Sequence, residues 1–227
     1  MTEASFEYSN LSGRPNGPIV SVASRLLPGV RAVQRQVRAY AEDWEQHNRE
    51  AALSTGPLWV ALGDSMAQGV GASAYDRGWV GQLAATLPDH RLMNLSVYGG
   101  RVADILERQI PAMESLGAPP DLVTVVIGSN DLISKKLRPA LPSALDEMLR
   151  RLPRGSIVGT QPGGQSGALQ FNRQVDEAAA AGHVRIAEFR DPRMRSWRGK
   201  LSADHFHPND RGYAGMAEIM AEAVARR

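Results

Sequence analysis

Residues 57–71 read PLWVALGDSMAQGVG. The run Leu58-Trp59-Val60-Ala61-Leu62 is apolar throughout, which suits a strand covered on both faces, as in a parallel sheet. It breaks at Gly63-Asp64-Ser65. Open α/β sheets gather their ligands at the carboxyl ends of strands, so Ser65 stands where a reactive hydroxyl is useful. A serine at a strand-to-helix turn can also aim its own backbone N–H at a developing oxyanion. Gly-Asp-Ser is equally an ordinary turn and cap composition, so the decision rests on the chain around it.

Outward from this stretch, short apolar runs recur at 58–62, 91–95, 122–127, 156–159 and 184–189. Helical patterns separate or follow them at 79–87, 102–116, 144–152, 168–181 and 212–225. Strands alternating with helices predict an α/β fold with a five-stranded parallel sheet, helices on both faces and right-handed crossovers. Before the sheet, residues 1–18 carry Gly13, Pro15, Gly17 and Pro18 and read as a loose arm. From Leu26 to about Ala51, the residues Leu26, Val30, Val33, Val37, Tyr40 and Trp44 recur at steps of four and three. That spacing lines one face of a helix, predicted to pack on the main domain. The division expected is 1–55 for arm and amphipathic helix, and 56–227 for the sheet domain.

The chain has 227 residues, 43% hydrophobic and 22% charged, with a net charge of +2, as in an ordinary globular protein. So small a charge gives no support to a nucleic-acid partner. There is no cysteine, which excludes disulfides, cysteine nucleophiles and thiolate metal sites. No apolar run has the length of a membrane span. The start carries Glu3 and Glu7 and lacks the basic-then-apolar pattern of a secretory leader, so a cytoplasmic location is expected.

Three further blocks carry chemistry. Asn94-Leu95-Ser96-Val97-Tyr98-Gly99-Gly100 follows the second apolar run, and its glycines let a backbone N–H approach a ligand closely. Gly128-Ser129-Asn130-Asp131 ends the third run, where the Asn130 amide is either a neutral donor for an oxyanion or a helix cap. Asp204-His205-Phe206-His207-Pro208-Asn209 precedes the last helix. A histidine there can act as general base, and a carboxylate three residues away can hold its tautomer.

Ser65, Gly99, Asn130 and His207, each in its block and in that order, resemble the SGNH superfamily of GDSL-type esterases and lipases. The matching stretches are GDS at 63–65, the turn from Asn94 to Gly99, GSND at 128–131, and D-x-x-H-P at 204–208. The resemblance spans about 57–227. Met66 departs from the leucine of the name-giving motif, and the segment before the first strand lies outside it.

The resemblance implies a flavodoxin-like, three-layer α/β/α sandwich. It also implies a serine esterase that hydrolyses carboxylic O-acyl or thioesters through an acyl-enzyme. Ser65 would be the nucleophile, His207 the base and Asp204 its orienting partner. The N–H groups of Ser65 and Gly99, with the Asn130 amide, would form the oxyanion hole. The substrate would be a small-molecule or lipid-like ester, with no metal and no organic cofactor.

Other readings stay open on the residues alone. One is a catalytically silent binding module on the same fold. A second is a metal-dependent phosphoesterase using Asp64, Asp131, His205 and His207. A third is a dinucleotide site at Gly69-Val70-Gly71-Ala72-Ser73-Ala74, although that glycine pattern starts too far from the strand end. Arg190, Arg193, Arg195, Arg198 and Lys200 form either a basic rim or a solvated loop, and Trp197 and Tyr98 line either a pocket or the core.

Overall fold

The apolar run after Pro57 forms β1 (Leu58–Gly63), all six residues of it buried. It lies inside a sheet with β2 (Arg91–Asn94), β3 (Leu122–Val126), β4 (Ser156–Gly159) and β5 (Val184–Ala187). The strands are all parallel in the order β2-β1-β3-β4-β5, the flavodoxin-like order. This computed structural model describes residues 6–15 and 18–226. Residues 1–5, 16 and 17 of the expected arm lie outside the described residues.

Alternate residues of the strands feed two cores, as the two-residue period of a strand requires. Leu58, Val60 and Leu62 face one side with Val123, Val125 and Val158. There they meet α4 (Val102–Asp104), α5 (Ile110–Glu114), α7 (Leu141–Arg151) and α8 (Ser166–Ala180). Trp59, Ala61, Leu122 and Val126 face the other side, against α3 (Trp79–Ala84) and α9 (Asp210–Ala225). Burying a side chain of this size stabilises by about 1.5–3 kcal/mol. The Trp59 indole N–H, which would otherwise be stranded, donates to Thr124 Oγ1 on β3 at 2.9 Å. A short α6 (Ser129–Ile133) follows β3 directly.

The N-terminal segment differs from the expectation in two respects. It holds two helices, α1 (Pro18–Leu26) and α2 (Pro28–Ala52), where one was expected from Leu26 onward. Leu27 between them is extended, at φ −110 and ψ 111. Pro28 causes this, because a residue before proline is disfavoured in the helical region while proline itself suits the first helical position. Leu26 consequently leaves the stripe and is 72% exposed, whereas Val33, Tyr40 and Trp44 are buried.

The second difference is that the arm is not loose over residues 6–15. It has no helix or strand there, yet Asn10 is fully buried and donates to the carbonyls of Asn94 (2.9 Å) and Ser96 (2.7 Å). Asn48, on the buried face of α2, bonds both the N–H and the carbonyl of Asn94 at 2.8 Å. Arm and helix thus satisfy polar backbone at the end of β2, an edge strand whose unpaired groups would otherwise be open to another chain.

Candidate active site

The sheet order reverses between β1 and β3, and the crevice at such a switch point is where open α/β sheets bind ligands. Ser65 leaves β1 and Asn130 leaves β3, so both blocks stand at that crevice. Ser65 Oγ lies 3.0 Å from His207 Nε2. His207 Nδ1 lies 2.6 Å from Asp204 Oδ2. The other Asp204 oxygen accepts the backbone N–H of Phe206 and of His207, each at 3.0 Å. Burial pushes the Asp204 carboxyl up. The hydrogen bond and charge of His207 and those two N–H groups outweigh it and hold the group below its ordinary value.

The loop that carries these residues is closed on itself. Ser202 N–H donates to His207 O at 2.8 Å, and Asn209 N–H to Lys200 O at 2.9 Å. His205 takes a left-handed φ of 56 at the bend, which lets Asp204 fold back onto the residues after it. His205 itself points to solvent, whereas His207 is 5% exposed. Asn209 then caps α9 by accepting from Arg211 and Gly212 N–H. Gly71 makes room for this loop: a Cβ there would come within 2.6 Å of His207 Cβ. Of the glycines at 69–74, Gly71 thus serves packing against His207, and Gly69 packs against Gly78.

The opposite side of the site is built from backbone. Among the described residues, neither the Ser65 nor the Gly99 N–H has a hydrogen-bond acceptor. Uncommitted N–H groups of this kind are available to an oxyanion. Gly99 sits in a turn closed by Gly100 N–H donating to Val97 O at 2.8 Å. The Asn130 amide is already engaged: Nδ2 donates to Gly100 O at 2.9 Å and, more weakly, to Asp64 Oδ2 at 3.3 Å.

Asp64 is a residue whose part the sequence reading did not anticipate. Its carboxylate accepts from Met66 N–H at 2.9 Å and Ser129 Oγ at 2.9 Å, besides Asn130. It is 1% exposed, and burial raises its pKa despite those donors. Asp131 accepts Val102 N–H at 3.1 Å, tying α6 to the start of α4. Burial lifts it to about 6, with the Val102 N–H opposing the rise and the Asp64 charge adding to it. Gln109, from a π-turn at Ile105–Gln109, exchanges two 2.8 Å hydrogen bonds with the backbone of Gly63. π-turns recur at functional sites, and this one braces the end of β1.

Asp64 and Met66, on either side of Ser65, line a cavity of about 100 Å³. Ile127, Phe189, Met194, Trp197 and Met216 give it apolar walls. Trp197 is thus a cavity wall, whereas the Tyr98 hydroxyl bonds Gln34 Nε2 at 2.6 Å. In the arginine-rich loop, Arg190 pairs with Asp176 and Glu188, and Arg193 with Asp191 and Glu222. Among the described residues no three His, Asp or Glu side chains converge as metal ligands, and His205 diverges from His207. No described helix is long and apolar enough to cross a membrane.

Residues 61–214 match the GDSL-like Lipase/Acylhydrolase family, and the chain belongs to that family of ester-splitting hydrolases. No curated protein matches the chain. Among solved structures it is similar to TesA, with 23% identity and a TM-score of 0.64 over 74% of this chain and 98% of that one. A lipolytic protein of the G-D-S-L family from Veillonella parvula gives 21% and 0.62, over 76% and 100%. The psychrotrophic esterase EstA from Pseudoalteromonas gives 17% and 0.58, over 74% and 96%. At these identities the likeness concerns the fold, a five-stranded parallel sheet between helical layers.

Proposed function

We propose that the protein hydrolyses carboxylic esters through a covalent acyl-enzyme formed on Ser65. The observation that carries this reading is the unbroken relay from Ser65 Oγ to His207 Nε2 (3.0 Å) and from His207 Nδ1 to Asp204 (2.6 Å). His207 takes the Ser65 proton as Oγ attacks the acyl carbon, then returns it to the leaving oxygen. Asp204 fixes the tautomer that leaves Nε2 free to accept. The N–H groups of Ser65 and Gly99 receive the oxyanion. Asn130 joins them by giving up its long hydrogen bond to Asp64. Water, activated in turn by His207, releases the acid.

The cavity beside Met66 suits the acyl group. At about 100 Å³ it is smaller than a cavity of about 150 Å³ that accepts benzene, which favours short apolar acyl chains. The test is turnover of p-nitrophenyl butyrate against the Ser65→Ala variant. Loss of roughly 10³-fold or more in kcat with the fold retained is expected. Wild-type-like turnover by folded Ser65→Ala protein would remove Ser65 from the chemistry.

A further inference from the structure

The turn that presents the Gly99 N–H has little of its own to hold it. The N–H belongs to the Tyr98–Gly99 peptide, the central peptide of the turn closed from Gly100 to Val97. Gly99 has φ +63, as a type II turn demands at its third residue. Apart from its chain neighbours no atom lies within 4 Å of where a Gly99 Cβ would be, so nothing packs on that face of the tip. A turn held so lightly can shift as a unit, and a shift would carry the N–H out of place.

Besides the Asn130 amide on Gly100 O, what fixes the turn comes from residues before the family match. Arg14 grips Asp104 with both terminal nitrogens, each bond 2.7 Å long. The nitrogen that bonds Asp104 Oδ2 also donates to Gly99 O at 3.0 Å. Asp104 is in turn fixed by Arg101 N–H at 2.8 Å, so the guanidinium is set on a rigid support. On the other side of the peptide, Tyr98 N–H donates to Asn10 O at 3.3 Å. That carbonyl also accepts from Gln68 Nε2, one turn beyond Ser65, at 2.7 Å. The arm is anchored independently by Arg108, which donates to Ser9 O and Leu11 O.

We propose that Arg14 is a positioning residue for the oxyanion-binding turn: held on Asp104, it fixes the Gly99–Gly100 peptide next to the donor and so the place of the turn that carries the Gly99 N–H. The inference rests on the esterase reading above. A planar fork suits this task, because it reaches a carboxylate and a carbonyl together, which an ammonium on a flexible stem does not. Arg14 is about a third exposed but Asp104 only 5%, so removing Arg14 leaves a nearly buried carboxylate without its cation and costs stability. A lysine keeps a cation there, which separates the cost to the fold from the cost to the turn.

The experiment measures p-nitrophenyl butyrate kinetics and melting temperature for wild type, Arg14→Ala, Arg14→Lys, Asn130→Ala and the Arg14→Ala/Asn130→Ala double variant. Arg14→Ala should lower kcat about tenfold with KM within twofold, a fraction of the ~10²-fold lost with a whole oxyanion donor. Arg14→Lys should recover the melting temperature but not kcat. Were Arg14→Ala unable to fold, the lysine variant carries the same reading. The double variant should lose less than the product of the single losses, because both changes act on one oxyanion. Wild-type kcat in Arg14→Ala, a change confined to KM, full recovery in Arg14→Lys, or strictly multiplicative losses would each overturn the proposal. A wild-type protein inert toward the ester would instead sink the esterase reading, and the Arg14 role with it.

Discussion

The two sides of the crevice are held together in opposite ways. The His207 side is local. Asp204 and His207 are three residues apart, the carboxylate satisfies two backbone N–H groups besides the imidazole, and the loop closes on itself. The Gly99 side is borrowed. Nothing packs on the tip of its turn, and two of its hydrogen-bond partners, Asn10 and Arg14, lie more than eighty residues away in sequence. A base must be held at one distance from its serine, which a short stiff loop does well. An oxyanion donor must be held in place, and a glycine turn needs outside help for that.

The largest expected effect breaks the local side. His207→Ala should lower kcat for p-nitrophenyl butyrate by roughly 10³-fold or more. His205→Ala, at an exposed position in the same loop, should cost less than about tenfold. Parallel kinetics on the two purified variants would settle it. A dead His205→Ala enzyme beside an active His207→Ala one would reverse the assignment.

A smaller effect sharpens the borrowed side. Asp131 ties α6 to α4, and its pKa is lifted from 3.8 to about 6. Between those values the folded protein binds more protons than the unfolded chain, so this group's contribution to stability falls as pH rises. A carboxamide in its place would stay neutral and still accept the Val102 N–H. Asp131→Asn should therefore gain on the order of 1 kcal/mol relative to wild type on going from about pH 4 to about pH 7. Denaturant unfolding of both proteins at the two pH values checks the sign. A pH-independent difference would mean that Asp131 is not strained by burial.

The same contrast governs what could be read from the amino-acid order. Each of the four blocks ends a strand or opens a helix, where turn chemistry leaves a local mark. Asp204 and His207 stand together as their spacing suggested, Ser65 joins them as the family resemblance implied, and the parallel sheet followed from alternation of apolar runs. Arg14, Asn10 and Gln109 left no such mark. They are polar residues without periodicity, and their partners are fixed only when distant segments meet. The break at Leu27 was legible in principle, since Pro28 forbids a smooth helix through it. The apolar spacing across it hid the interruption. Burial of Asn10 could not be read at all, because a polar residue in a Gly- and Pro-rich arm has the composition of a solvated loop.

The central claim is that Ser65 is the nucleophile. Reaction with a p-nitrophenyl alkylphosphonate, followed by intact mass and peptide mapping, tests it most directly, because a phosphonate traps the serine in a stable adduct resembling the tetrahedral intermediate. A single adduct per chain is expected, located on Ser65 and absent from Ser65→Ala. An adduct on another residue, or no adduct on a protein that still hydrolyses p-nitrophenyl butyrate, would contradict it.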